Sequence, residues 1–138
     1  FSLPNGFSKP QFIQPGILAI KANPFTGEDS RADMEKLVAH LKGYDWDSIP
    51  MIVVGDDSAF LAQNTNNFVW ATFTRATPSH DIYGVDAYTE FKHWGCRGAL
   101  VIDARIKPHH APELIPDAKV AANVDRLFTK SGPLYDWR

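Results

Sequence analysis

NFVWATFTRATPSHDIYG, Asn67 to Gly84, reads two ways. Phe68 to Thr74 is aromatic and β-branched, which favours a strand. Yet Asn66 and Asn67 could cap a helix, and Val69 and Phe73 stand four apart, as neighbours on one helical face do. The run then ends in Arg75, turns at Pro78 and meets Asp81. The plain reading of that arginine is an ion pair with Asp81 that fastens the loop between them, worth most where water is partly excluded. The functional reading is that Arg75 offers its charge to an anionic substrate. Beyond the turn, DIYGV is expected to form a short strand.

The flanks are plainer. Ile17 to Ile20 is an apolar run between Pro15-Gly16 and Asn23-Pro24, consistent with a buried strand. In EDSRADMEKLVAHLKG, Met34, Leu37, Val38 and Leu41 fall at helical spacing and give one apolar face. Ser30 is expected as its N-cap with Asp33 in a capping-box position, and Gly43 as its stop. Asp33, Lys36 and His40 make the solvated face. Met51 to Val54 is a second strand, ended by Gly55-Asp56-Asp57, and Gly98 to Asp103 a third. Strand, helix, strand is most economically a parallel pair with a crossover helix. A last helix is expected from Asp117 to Thr129, with Val120, Val124, Leu127 and Phe128 on its face and Gly132-Pro133 at its end. Lys107 to Asp117, broken by three prolines, reads as loop.

These elements predict an α/β fold: a single small domain with a mixed, mainly parallel sheet of three or more strands flanked by helices. Residues 1–15, rich in Pro, Gly, Ser and Asn, read as a lead-in or linker, 16–131 as the domain and 132–138 as a tail. A chain of 138 residues suits one domain and is long enough to bury a core. A net charge of -2 argues against a general nucleic-acid or anionic-membrane binder. No apolar run is long enough for a membrane span. Cys96, the single cysteine, fits a reducing, cytoplasmic setting and by itself makes no zinc site.

Few residues suggest chemistry directly. Asp56 and Asp57 close a strand at its carboxyl end, where open α/β sheets tend to bind ligands. Two aspartates are too few to cage a calcium or magnesium ion, so capping and loop roles are the simpler expectation. His109 and His110 are read as exposed loop, and His80, His93 and Cys96 show no spacing that marks a nucleophile and base. The glycines are scattered, with no phosphate-cradling loop.

Taken in order, IVVGDD, NFVWATFTRATPSHD, VIDARIKP and DAKVAANVDRLF resemble the C-terminal domain of the UbiD family, decarboxylases and carboxylases that use prenylated flavin mononucleotide. The matching positions are Asp56-Asp57, Trp70-Ala71, Thr74-Arg75, Pro78, Asp81, Asp103-Ala104 and Lys107. The resemblance covers roughly residues 16 to 131. It implies that Phe68 to Thr74 is helix, with Arg75 in the loop after it. It also implies that the flavin, its divalent metal and the catalytic residues belong to a preceding domain of a parent enzyme. This chain would then carry no catalytic residue, bind no cofactor or metal and be inactive alone. HWGCRGALVIDARIKPHHAPEL is most similar to the phenylphosphate carboxylase subgroup, which acts on phenol-derived aromatics.

By the same resemblance, Phe91, His93 and Trp94 in YTEFKHWG would wall the pocket of an aromatic small-molecule substrate, a use that suits flat apolar rings. Packing in a core or interface is the ordinary alternative for such aromatics. The implied partners are the remainder of the parent chain, further copies in a homo-oligomer, and hetero-subunits. The competing expectation is an interaction or oligomerisation module with no catalytic task.

Overall fold

The structure, a computed structural model, describes residues 1–110 and 117–137. Its framework is a five-stranded sheet in the order β1-β2-β3-β7-β4. The strands are β1 (Phe7–Gln14), β2 (Ile17–Ala22), β3 (Met51–Gly55), β4 (Ile82–Gly84) and β7 (Leu100–Asp103). β2 pairs with β3, and β3 with β7, in parallel. β1 and β4 are the antiparallel edges. The sheet is therefore mixed, with its parallel pairings at the centre.

The central strands are apolar without alternation because both faces are covered. Leu18, Ile20, Ile52, Val54 and Val101 face α1 (Glu28–His40), whose Met34 and Leu37, with Leu41 just beyond, are fully buried. Ala19, Val53 and Ala104 face α2 (Ser58–Gln63) and α3 (Thr65–Arg75) through Leu61, Phe68 and Ala71. Each fully buried Leu, Ile, Val or Met contributes about 1.5–3 kcal/mol relative to exposure. These two layers hold the strand ends, and hence the site, in place.

The ambiguous segment is helix: α3 spans Thr65–Arg75, capped by Asn64, whose Oδ1 accepts the Asn67 N–H at 2.9 Å. Burial of Phe68, Ala71 and Thr72 on one face decides it over the β-propensity of the run. Arg75 is the last helical residue rather than a loop residue. In α1 the N-cap is Gly27, not Ser30; Ser30 lies inside the first turn, where its Oγ accepts the Thr26 N–H at 2.7 Å. Residues 7–14 of the lead-in are a paired edge strand. Lys9, at φ 49°, sits in a break of register between Ser8 and Gln11, a bulge that keeps this edge irregular.

α4 (Pro78–Asp81) is a single turn before β4. β5 (Ala87–Glu90) and β6 (His93–Cys96) form a separate hairpin. The last helix, α5 (Ala118–Leu127), is capped by Asp117 and buries none of its residues. Beyond it the tail turns back, with the Leu134 N–H donating to the Leu127 carbonyl at 2.9 Å, and makes a short 3-10 turn at Tyr135–Trp137. Residues 111–116, within the expected Lys107–Asp117 loop, lie outside the described residues. No helix of the described residues is long and apolar enough to cross a membrane.

Candidate functional site

The carboxyl ends of the parallel strands β3 and β7 open into a cavity of ≈ 870 Å³. This is where α/β sheets commonly bind ligands. Asp57 is spent on structure: its Oδ1 accepts the Ala59 and Phe60 N–H groups and caps α2. Asp56 Oδ2 accepts the Ile106 N–H at 2.7 Å, tying the end of β3 to the segment leaving β7, and lies 3.7 Å from Arg75 Nη1. The Arg75 guanidinium stacks over Trp70 at 5.1 Å, and Trp70 meets Phe60 edge to face at 6.2 Å. One wall is thus aromatic. Asp56, Lys107 and His110 also line the cavity.

Beneath the cavity lies a buried charge network. Arg105 Nε donates to Asp103 Oδ1 at 2.9 Å and Nη2 to Oδ2 at 2.7 Å, a bidentate pair with both side chains 1% exposed. The same guanidinium donates to the Asn23 and Ser30 carbonyls, so β7 is fastened to the crossover between β2 and α1. Burial alone would lower the Arg105 guanidinium, but the hydrogen bond and charge of Asp103 outweigh it and hold it above its ordinary value. Lys107 Nζ donates to the Arg75, Asp103 and Arg105 carbonyls and lies 3.3 Å from Asp81 Oδ2. Phe25 covers both cations, at 5.5 Å from Arg105 and 5.6 Å from Lys107. His110 Nδ1 accepts the Lys107 N–H, and burial, then the neighbouring positive charges, push this imidazole below its ordinary value.

Among the described residues, two ion pairs involve the expected partners Arg75 and Asp81, each with another residue. Arg75 pairs with Asp56, and Asp81 pairs with Lys107 while accepting the Thr77 N–H at 2.6 Å. The physical reason is adjacency in the sheet: Asp56 at the end of β3 and Lys107 just past β7 reach the end of α3 and α4. Through Asp56, Arg75 ties the end of the helix to the end of β3.

Phe91, His93 and Trp94 are brought together on the β5–β6 hairpin, away from this cavity. All three are exposed, Phe91 by 94%. The two linking residues, Phe91 (φ 51°) and Lys92 (φ 68°), both adopt positive φ, as a tight two-residue hairpin turn requires and as side chains other than Asn, Asp or Gly resist. The hairpin stem is braced: Gly95 leaves room for the Tyr88 ring, over which Arg97 stacks at 4.9 Å. On the inner face a Cβ at Gly84 would collide with Cys96, so the glycine lets the hairpin lie against β4. Burial pushes the Cys96 thiol above its ordinary value.

Phe60 and Trp70 as an aromatic wall, and Arg105 as a buried anchor, escaped the sequence reading. The one signal available was the alternation of charges at Asp103, Arg105 and Lys107 directly after an apolar strand. Among the described residues no group of three or more His, Cys, Asp or Glu could hold a metal ion.

No family model matches the chain. Over 84 residues, 61% of the chain, it is 29% identical to one of the subunits of 4-hydroxybenzoate decarboxylase from Chlamydia pneumoniae, and the match covers 14% of that protein. Among solved structures, the vanillic acid decarboxylase of Sedimentibacter hydroxybenzoicus in closed form is similar at a TM-score of 0.49 and 16% identity, covering 82% of this chain and 26% of that one. An evolved dimeric form of the UbiD-class enzyme HmfF from Pelotomaculum thermopropionicum, in complex with prFMN, is similar at a TM-score of 0.45 and 15% identity, covering 77% and 21%. The chain thus spans about a seventh of the curated relative's length. What it resembles is one part of a larger decarboxylase polypeptide.

Proposed function

We propose that this chain is the C-terminal domain of a UbiD-like aromatic acid carboxylase or decarboxylase, acting within a longer parent enzyme. The observation that carries the reading is the 84-residue match to a decarboxylase polypeptide. The order of the motifs from Asp56 to Lys107 agrees with it. Prenylated flavin mononucleotide and a divalent metal, held elsewhere in the parent, would supply the chemistry for loss or gain of carbon dioxide. The role of this chain is to support that domain, wall one side of the pocket and carry contacts between subunits.

The wall is assigned to Phe91, His93 and Trp94, where a rigid turn presents a ring at the cost of an unfavourable backbone. Such local strain often accompanies a functional position. Contacts between subunits are assigned to α5, whose Val120, Val124 and Leu127 remain exposed, together with Tyr135 and Trp137. Aromatic rings of this kind are enriched in interface cores. A phenol-derived substrate, as in the phenylphosphate carboxylase subgroup, and a cytoplasmic setting complete the reading.

The test is to purify the full-length parent matured with prenylated flavin and assay carbon dioxide exchange over a panel of aromatic acids and phenols. Turnover that falls in Phe91→Ala and Trp94→Ala, with flavin content unchanged, is the expected result. A parent without a flavin-binding domain, or turnover by residues 1–138 alone, would overturn the proposal.

A further inference from the structure

We infer that the outer face of α2 and α3 is a docking face, covered in the working protein by the remainder of the longer parent chain. The inference rests on the proposed function for its occupant, but the face is defined by this chain alone. Between Phe68 and Phe73, α3 carries apolar residues on its outer as well as its inner face. Phe68 and Ala71 face the sheet, while Val69, Trp70 and Phe73 point outward with exposures of 45%, 51% and 70%. Large apolar residues on the face turned from the core are what a helix shows when a second surface covers it. Phe60 of α2, 36% exposed, extends the same surface through its contact with Trp70.

The charge pattern agrees. From Ser58 to Thr74 there is no Asp, Glu, Lys or Arg, in a chain whose charged fraction is 22%. The polar positions are Asn, Gln, Ser and Thr. Depletion of charge with enrichment of aromatics marks the core of a protein interface. An aromatic side chain offers about 150–250 Å². At the stated exposures, Trp70 and Phe73 alone leave roughly 250 Å² of apolar surface in water. With Val69 and Phe60 the patch reaches a few hundred Å², the size of the largest and often functional apolar patch on a monomer.

Two observations favour the parent chain as occupant. The curated relative extends far beyond the matched stretch, which is 14% of its length. The patch is also continuous with the cavity, because Phe60 and Trp70 line both. A partner seated on α2 and α3 would therefore wall the open side of that cavity, and ligand sites gather at such domain junctions. The fitting surface over Val69 and Phe73 is apolar, since a charge placed there would be desolvated and Ser58 to Thr74 supplies no counterion.

Hydroxyl-radical footprinting of Trp70 and Phe73 tests this, in purified residues 1–138 and in the purified full-length parent, each over a dilution series. Phe73 is 70% exposed here, and an interface core leaves a few per cent, so its oxidation rate should fall about tenfold in the parent at every dilution. Phe73→Lys in the parent should restore the reactivity of Trp70. Equal rates in the two proteins would overturn the inference. Protection already present in residues 1–138 and lost on dilution would also overturn it, by showing a second copy as occupant. Flavin absorbance of the same parent separates the two readings. Protection without flavin upholds the docking face and refutes the proposed function; flavin without protection does the reverse.

Discussion

Lys107→Met isolates the weight carried by one buried ammonium. The methionine keeps the unbranched stem and removes the charge. In the wild type Nζ serves the Arg75, Asp103 and Arg105 carbonyls at 3.1, 3.0 and 3.3 Å and neutralises Asp81 at 3.3 Å. Both side chains of the pair are 4% exposed, so water cannot replace the lost partner. Removing one member of a buried ion pair costs about 3–5 kcal/mol, because the other charge stays behind uncompensated. Against a typical stability of about 5–15 kcal/mol this is a large fraction. In urea, at a slope of about 2 kcal/mol per molar, the unfolding midpoint should fall by about 1.5–2.5 M. Adding Asp81→Asn should recover part of the loss, since the amide oxygen can still accept the Thr77 N–H without a buried charge. The two changes should couple by about 1–3 kcal/mol. A midpoint for Lys107→Met within about 0.5 M of wild type, or strict additivity of the pair, would refute this reasoning.

Arg75→Ala should cost about 1–3 kcal/mol by removing both the Asp56 contact and the stacking on Trp70, and a urea cycle with Asp56→Asn should show coupling of at least about 0.5 kcal/mol. Replacing Phe91-Lys92 by Asn-Gly relieves two unfavourable positive φ angles and should raise thermal stability by about 0.5–1 kcal/mol each, measured by calorimetry. His110 is held below its ordinary value of 6.5, so its contribution to stability is present above that pH and is lost as pH falls through the folded-state value. Thermal midpoints followed from pH 7.5 down to pH 5 should therefore drop less steeply in His110→Gln than in the wild type.

How much was legible follows from the range of each signal. β2, β3 and β7 were visible because a buried central strand is a continuous apolar run bounded by turn residues. α1 was visible because its apolar period holds over two turns, from Met34 to Leu41. The type of α3 was open because the same aromatic and β-branched residues suit either element; its apolar outer face blurred the period that would have identified it. β1 was missed as a strand because an edge strand is half solvated and tolerates polar residues and Pro10. The partners of Arg75 and Asp81 were hidden for another reason. Local spacing points those two at each other, whereas the contacts with Asp56 and Lys107 depend on β3 and β7 lying side by side. Strand order is not written in any short window. The aromatic wall of Phe60 and Trp70 likewise exists only once α2 and α3 fold against one another.

The tie from Arg105 to the Ser30 carbonyl spans 75 residues. A chain leaving a ribosome at about 5–20 residues per second makes Arg105 roughly 4–15 s after Ser30. Until then the crossover between β2 and α1 lacks its guanidinium clasp, and β3 lacks its neighbour β7. The nascent chain must wait with apolar Ile17–Ala22 and Met51–Gly55 only partly covered. During that interval Ile17–Ala22 and Met51–Gly55 are the segments on which a chaperone that binds exposed apolar strands would be expected to act.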